Sequence, residues 1–257
     1  MNSVNLVTAS GIALLMMGAS SSWAGQAEDT QGGYTLKMGA IGYASTSPFA
    51  RDPDDYDTGL APYLALEVGR LNVDISGASY TVYSSNGVTA DALLAPRWVI
   101  ADPDDTPGLS SLERETAIEA GGRLAYSVGN IEFIAAYLGD VSDTHGGHEV
   151  QVRVGTQWEM GERAFVGVEA VATWADSALC TYTYGVRPGE ATVSLEAYTV
   201  KDSVTPSLGG HAGYRLTDRV SMMGGVRIEF LPDEVTSSPI VQRDHLVSTF
   251  LGVAYAF

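Results

Sequence analysis

Residues 245–257 (HLVSTFLGVAYAF) are the last thirteen of the chain, and they decide its fold. From Val247 to Phe257, every second residue is apolar, aromatic or threonine. The residues between them are small, apart from Phe250. Because side chains on a strand alternate between its two faces, this period of two predicts one extended strand. One face of that strand is mostly apolar and ends in aromatic side chains.

The same stretch resembles the terminal strand of bacterial outer-membrane β-barrels, which ends in Phe after alternating apolar or aromatic residues. That resemblance implies an insertion signal, bound by the barrel assembly machinery and formed by Leu251, Val253, Tyr255 and Phe257. The alternative is an ordinary edge strand that ends in Phe. The rest of the chain has to distinguish the two.

The amino terminus predicts export from the cytoplasm. An apolar core, residues 11–18 (GIALLMMG), precedes small residues and Ala24, which is typical of a signal peptide cleaved after Ala24. The segment before that core lacks Lys and Arg, which departs from the usual pattern. We expect a signal peptide at 1–24, a short periplasmic segment at 25–33 and a barrel at 34–257. No later segment reaches about 18 continuous apolar residues, the length of a transmembrane helix.

Composition excludes several classes of function. A net charge of −17 argues against nucleic acid as a partner. The single cysteine, Cys180, excludes an intramolecular disulfide framework. Acidic residues cluster at 52–57 and 102–105, which favours solvated loops. Their spacing does not match an EF-hand, so calcium is the weaker interpretation. No cofactor is expected.

Alternating patterns divide the remaining chain into strands of an all-β protein. Counting residues 73–84 as two short strands bent near Gly77 gives twelve strands, and counting neither as crossing gives ten. Residues 175–203 are expected to form a polar loop. The predicted strands are 34–43, 60–68, the two within 73–84, 88–100, 117–128, 131–138, 149–159, 164–174, 207–216, 220–230 and 245–257.

Short and long connections alternate along these strands. Short turns follow Val68, Val128, Glu159 and Leu216, whereas longer loops follow Tyr43, Ile100, Leu138, Trp174 and Phe230. Short periplasmic turns and longer outer loops are typical of an up-and-down outer-membrane barrel. Trp158 lies beside a short turn and Trp174 beside a long loop, which predicts opposite aromatic girdles.

The charged face of the strands has two interpretations. A soluble barrel would turn it to water, whereas a membrane barrel encloses it and turns the apolar face to lipid. The export signal and the loop asymmetry favour the membrane barrel, in which every backbone group is hydrogen-bonded. The charges would then either line a pore or form a salt-bridged plug, because barrels of this size are narrow. The predicted lumen residues are Lys37, Glu67, Glu119, Arg123, Arg153, Glu169, Arg227 and Glu229.

Several short motifs, in order, resemble the MipA/OmpV family, the MltA-interacting protein family. They are 145–148 (HGGH), 173–176 (TWAD), 182–186 (YTYGV), 213–216 (GYRL), 224–227 (GGVR) and 238–241 (SPIV). Tyr184 stands where the family usually has Phe, and Cys180 matches no family pattern. The resemblance implies a barrel in the outer membrane, surrounded by its lipid and lipopolysaccharide. For the named member it also implies a scaffold that links a lytic transglycosylase to a peptidoglycan synthase, while other members are porin-like or surface antigens.

Two alternative sites remain from the residues alone. His145 and His148, with Asp143 and Glu149, could bind a metal, although a glycine-rich outer loop explains them as well. A lipid-modifying hydrolase would need His211 or His245 to meet Ser207 or Ser248, and no motif marks a nucleophile. We therefore expect no catalytic, cofactor or metal residues. The predicted function is a non-enzymatic barrel acting as a scaffold, with a small-solute channel as the alternative.

Overall fold

The computed structural model describes residues 33–49, 56–99 and 102–257, and in them twelve antiparallel strands close into a barrel. The predicted signal peptide, its cleavage site at Ala24 and the segment up to residue 32 lie outside the described residues. The strands are β1 (Tyr34–Thr46), β2 (Tyr56–Val68), β3 (Leu71–Asp74), β4 (Gly77–Ser85), β5 (Val88–Arg97), β6 (Ala117–Val128), β7 (Ile131–Asp140), β8 (His148–Met160), β9 (Ala164–Ala175), β10 (Ser203–Arg215), β11 (Val220–Phe230) and β12 (His245–Ala256).

The last strand closes the barrel. β12 pairs with β11 on one side and with β1 on the other, from Lys37 opposite Ala256 to Ser45 opposite Ser248. Each remaining strand pairs with its neighbours in sequence. The all-β, up-and-down prediction is therefore confirmed, and the count is twelve rather than ten.

The hairpin of β3 and β4 is the shortest part of the wall. β3 has four residues and already begins at Leu71, which the sequence had suggested was still part of a turn. Gly77 starts β4 with φ at 125°, and a Cβ there would lie 2.3 Å from the Leu94 carbonyl oxygen. Only glycine therefore fits where the hairpin bends against β5. Among the described residues, β2 pairs with β3 only over Leu66–Val68.

Large apolar side chains cover the outside of the barrel. Leu60 is 77 % exposed, and Leu208, Leu251 and Phe257 are also more than half exposed. An apolar belt of this extent is rarely exposed to water in a soluble protein, whereas in an outer-membrane barrel it faces the hydrocarbon of the bilayer. Trp158 and Trp174 lie near opposite ends of the β8–β9 hairpin. The observed alternation therefore belongs to a membrane barrel.

The long outer loops fold over one end of the barrel. Residues 175–203, expected to be a loop, contain helix α1 (Ser177–Tyr184), and β10 begins at Ser203, four residues earlier than expected. The Asp176 carboxylate caps α1 by accepting a hydrogen bond from the Leu179 backbone at 2.9 Å. A second short helix, α2 (Asp233–Thr236), lies in the loop before β12. No helix in the described part of the chain is long and apolar enough to cross a membrane.

Replacing Gly39 by Val should prevent the barrel from closing. A Cβ on Gly39 would lie 1.9 Å from the Val253 carbonyl oxygen of β12, whereas one on Gly42 meets nothing nearer than 4.0 Å. After refolding in detergent, closed barrel is measured as the band that shifts on heating in SDS gels. We expect this band to be lost in Gly39→Val and kept in Gly42→Ala. An unchanged closed fraction in Gly39→Val would contradict the observed β1–β12 register.

Candidate functional site

The middle of the lumen is crossed by buried ion pairs. Glu169 on β9 lies 2.5 Å from Arg227 of β11 and 3.4 Å from Arg153 of β8. Arg227 is 2 % exposed and Glu169 is 8 % exposed. β10 runs between β9 and β11 and carries Gly209, where a Cβ would be only 3.0 Å from the Glu169 Oε1 atom. The glycine therefore leaves the space through which Glu169 reaches Arg227.

Two further ion pairs extend this arrangement. Arg123 donates from Nε and Nη2 to one oxygen of Asp91, at 3.0 and 2.7 Å, while Thr81 donates to the other at 2.7 Å. Nearer the end with short turns, Lys37 lies 3.7 Å from Glu67, and Glu67 is more exposed. The charges therefore pair with one another across the lumen instead of standing free in it.

A second network lies nearer the outer end. Arg97 donates from Nε to Glu119 at 2.7 Å and from Nη2 to Glu149 at 2.5 Å. The buried His145 ring places Nε2 at 3.2 Å from Glu119. Asp140 fixes this loop by accepting hydrogen bonds from the His145 and Gly146 backbone N–H groups, at 2.6 and 2.8 Å.

The two networks differ in their charge balance. In the middle of the lumen, three arginines face three carboxylates, those of Asp91, Glu132 and Glu169. Near the outer end, Arg97 faces Glu119 and Glu149, and the same region is lined by Arg114, Glu115 and Glu229. Because a buried charge is costly without a partner, the excess of carboxylates at the outer end is a distinct electrostatic feature.

The outer loops form a cap over this region, built around Arg114. Its guanidinium donates to the Tyr182 and Gly185 carbonyl oxygens and lies 2.7 Å from Glu190. The Tyr182 ring packs against Arg114, 5.3 Å from the ring centroid, and its hydroxyl donates to the Glu115 carbonyl at 2.8 Å. These contacts join the loop after β5 to α1, so the loops act as one folded unit.

Apolar side chains from four connections form the core of this cap. Cys180 belongs to it and is 3 % exposed, with its sulfur 3.2 Å from the Ser203 hydroxyl. Burial raises the pKa of the Cys180 thiol, and the hydrogen bond to Ser203 only partly offsets this. The cap core consists of Phe49, Leu112, Cys180, Val186, Val200, Leu231, Val235, Ile240, Val241 and Leu246.

A cavity of about 240 Å³ lies between the cap and the lumen networks. Helix α1 contributes Cys180 and Tyr184 to its lining, and the barrel wall contributes Arg97, Glu149 and Glu229. The lining also includes the charged side chains of Arg114 and Glu115, the hydroxyl groups of Ser45, Ser207 and Ser248, and the Trp98 side chain. The cavity can therefore hold a molecule with both polar and apolar parts.

The predicted lumen residues lie on the inward face, but not as one group. Glu119, Arg123, Arg153, Glu169 and Arg227 belong to the two networks, Glu229 lines the cavity, and Lys37 and Glu67 pair separately. Sequence reasoning missed their partners Asp91, Arg97, Glu132 and Glu149. For Asp91 and Arg97 the sequence did contain a signal. They lie an even number of residues apart on the same predicted strand, so their side chains share one face of it.

The structure does not assemble the alternative sites. His145 contacts Glu119, whereas His148 lies 3.2 Å from Asp176. No group of three His, Cys, Asp or Glu side chains in the described ranges is close enough to hold a metal ion.

The serines and histidines of a hydrolase are likewise separate. His211 packs against Phe165, with ring centroids 6.0 Å apart, while Ser248 hydrogen-bonds Ser45 at 2.9 Å. His245 hydrogen-bonds Asp244 at 2.6 Å on the exposed surface. A serine nucleophile needs a base within hydrogen-bonding distance, and these pairs do not provide one.

Comparison with known proteins finds a matching family model and similar proteins of the outer membrane. The family model described as MltA-interacting protein MipA matches residues 38–257. Outer membrane protein Omp26La of Vibrio anguillarum is 23% identical, covering 88% of this chain and 88% of its own. Outer membrane protein OmpV of Vibrio cholerae is 22% identical, covering 73% of this chain and 74% of its own. An outer membrane channel from Pseudomonas putida F1 superposes with a TM-score of 0.46 at 11% identity, over 91% of this chain and 98% of that chain.

Acid should loosen the cap through Glu190. Burial opposes ionisation of Glu190, but hydrogen bonds from Arg187 and Arg114 outweigh it and hold its pKa below the ordinary 4.5. Because the pKa of Glu190 is lower in the folded cap than in the unfolded chain, the ionised side chain stabilises the folded cap above pH 4.5. This stabilisation is lost as the pH falls through the pKa of Glu190 in the folded cap. We therefore expect 4,4′-dithiodipyridine to label Cys180 several-fold faster below that pH, relative to urea-unfolded protein.

The matched variant is Glu190→Gln, which keeps the size of the side chain but cannot ionise. Its labelling rate should be raised near neutral pH and should change little with acid. If Glu190→Gln labelled with the same pH dependence as the unaltered chain, another group would have to control the cap.

Proposed function

We propose that this chain, which belongs to the MltA-interacting protein MipA family, is a closed outer-membrane barrel that acts as a scaffold for peptidoglycan-remodelling enzymes. The family match and the outer-membrane relatives confirm the predicted family and location. The finer role, holding a lytic transglycosylase and a synthase together, is our inference from the family description and from the lumen.

The observation that supports a scaffold best is the closed lumen. Arg153 is 4 % exposed and Glu119 is 2 % exposed, although both point into the barrel. In a water-filled pore, such charges would be hydrated and accessible to solvent. Here they are paired with one another, which stabilises a rigid barrel but leaves little room for conduction.

Enzymes that act on peptidoglycan would have to meet the barrel at its periplasmic end. The described connections at this end are all short turns, at 69–70, 86–87, 129–130, 161–163 and 216–219. Arg70, Arg163 and Arg219 outnumber Glu162 and Asp218 in these turns. Turns that carry exposed arginine side chains on a rigid rim suit a weak, exchangeable contact with a more acidic enzyme surface.

Photocrosslinking in the living envelope tests the scaffold. A benzoylphenylalanine placed at Arg70 or at Asp218 faces the periplasm, whereas one at Glu196 lies in the outer loops. We expect the two periplasmic positions to capture a peptidoglycan hydrolase or synthase and the Glu196 position to capture neither. Capture of no such enzyme from either turn, in cells with properly inserted barrel, would rule the scaffold out.

A small-solute channel is the second candidate, and the cavity beneath the cap favours it. Planar-bilayer recording of the purified full-length barrel separates the two functions. We expect no conductance steps from the unaltered chain, because the paired charges and the cap block the lumen. Stable steps at moderate voltage would support the channel and contradict the closed lumen.

A further inference from the structure

The cavity beneath the cap contains a carboxyl group that has no hydrogen-bond or ion-pair partner among the described residues. Glu229 is near the outer end of β11, and its side chain lines the cavity. No residue of the described part of the chain forms a hydrogen bond or an ion pair with it, in contrast to Glu119, Glu149 and Glu169. The other lumen carboxylates named above are paired with arginine or, for Glu67, with Lys37, whereas Glu229 lines the cavity without an ion pair.

The cations nearby are already committed to other groups. Arg97 is shared between Glu119 and Glu149, and Arg114 is paired with Glu190. The region around the cavity therefore holds two guanidinium groups, those of Arg97 and Arg114, and five carboxylates, those of Glu115, Glu119, Glu149, Glu190 and Glu229. An anion entering the cavity would meet this excess negative charge, whereas a cation would be attracted by it.

The aromatic groups of the cavity add to this preference. Tyr184 and Trp98 line it, and the faces of such rings attract cations. Burial raises the pKa of Tyr184, and the charge of Glu229 acts on it in the same direction. The hydroxyl therefore stays neutral, so it adds no competing charge and can accept or donate a hydrogen bond.

We propose that this cavity binds a small organic cation, a primary ammonium compound with a short carbon chain, through the Glu229 carboxylate. The ammonium group lies against Glu229, and the chain contacts the apolar part of the lining formed by Leu179, Phe49 and Leu246. Its volume of about 240 Å³ equals that of roughly eight water molecules, each occupying about 30 Å³, which limits the ligand to a few carbon atoms. This site does not depend on the scaffold, because it lies at the opposite end of the barrel.

Three probes of equal chain length test the proposal by titration calorimetry on the purified full-length barrel in detergent. They are butylammonium, 1-butanol and butyrate, which differ in charge but not in carbon count. We expect butylammonium to bind at millimolar or lower concentrations, and the neutral and anionic probes to bind at least about tenfold more weakly. Butylammonium should also slow the labelling of Cys180, because that thiol lines the same cavity.

Glu229→Gln should weaken butylammonium binding by at least about tenfold, since it removes the charge but keeps the shape of the side chain. Glu67→Gln is the matched control, because it removes the same charge from the lumen at the other end and should leave binding unchanged. The band that shifts on heating verifies that both variants are closed barrels. The proposal is overturned if butylammonium does not bind, if butyrate binds equally well, or if Glu229→Gln binds as tightly as the unaltered chain.

Discussion

The pairing of β12 with β1 is the contact on which the rest of the molecule depends. In hydrocarbon, an unpaired backbone N–H or C=O group costs several kcal/mol, so a membrane sheet is stable only when its two edges meet. The nine pairs from Lys37–Ala256 to Ser45–Ser248 join those edges. Once the sheet is closed, the period of two assigns each side chain either to lipid or to the interior.

Because of this assignment, the charged side chains of the strands are buried together in the lumen. Charges excluded from the lipid face are concentrated in a narrow interior, where each must find an opposite charge or keep contact with water. In the middle of the barrel, Glu169 joins Arg153 and Arg227, which come from strands on either side of it. Near the outer end, the balance changes in favour of carboxylates, and the cap of loops encloses a cavity at that level. The lumen is therefore closed in its middle, where arginines and carboxylates are equal in number and form ion pairs. The enclosed cavity lies near the outer end, where carboxylates outnumber arginines.

Much of this architecture can be predicted from the sequence, because local alternation determines strands and faces. The strands and the placement of Glu119 and Arg227 on the polar faces of their strands follow from spacing, which left the count at ten or twelve. That this face turns inward follows from the export signal and the loop asymmetry. The partners do not, because Arg97 and Glu149 are 52 residues apart and meet only through the tilt and register of four strands. Helix α1 was also missed, since eight residues with several Thr and Tyr give little helical signal, and its stability comes from the Asp176 cap and its packing on the loops. The burial of Cys180 follows from that same unpredicted helix.

The short β3 strand gives the barrel a wall of unequal height. Four residues of β3 span about 13 Å, whereas the thirteen of β2 span about 43 Å, at about 3.3 Å per residue. Lipids beside the β3–β4 hairpin therefore meet a shorter apolar surface than those beside β8 and β9. Since a bilayer adapts to such mismatch at a cost of fractions of a kcal/mol per Å, we expect it to be thinner on that side of the molecule. A barrel that looks nearly symmetric in its topology thus has a front and a back in the plane of the membrane, and neighbouring proteins that prefer thin bilayer would gather at one of them.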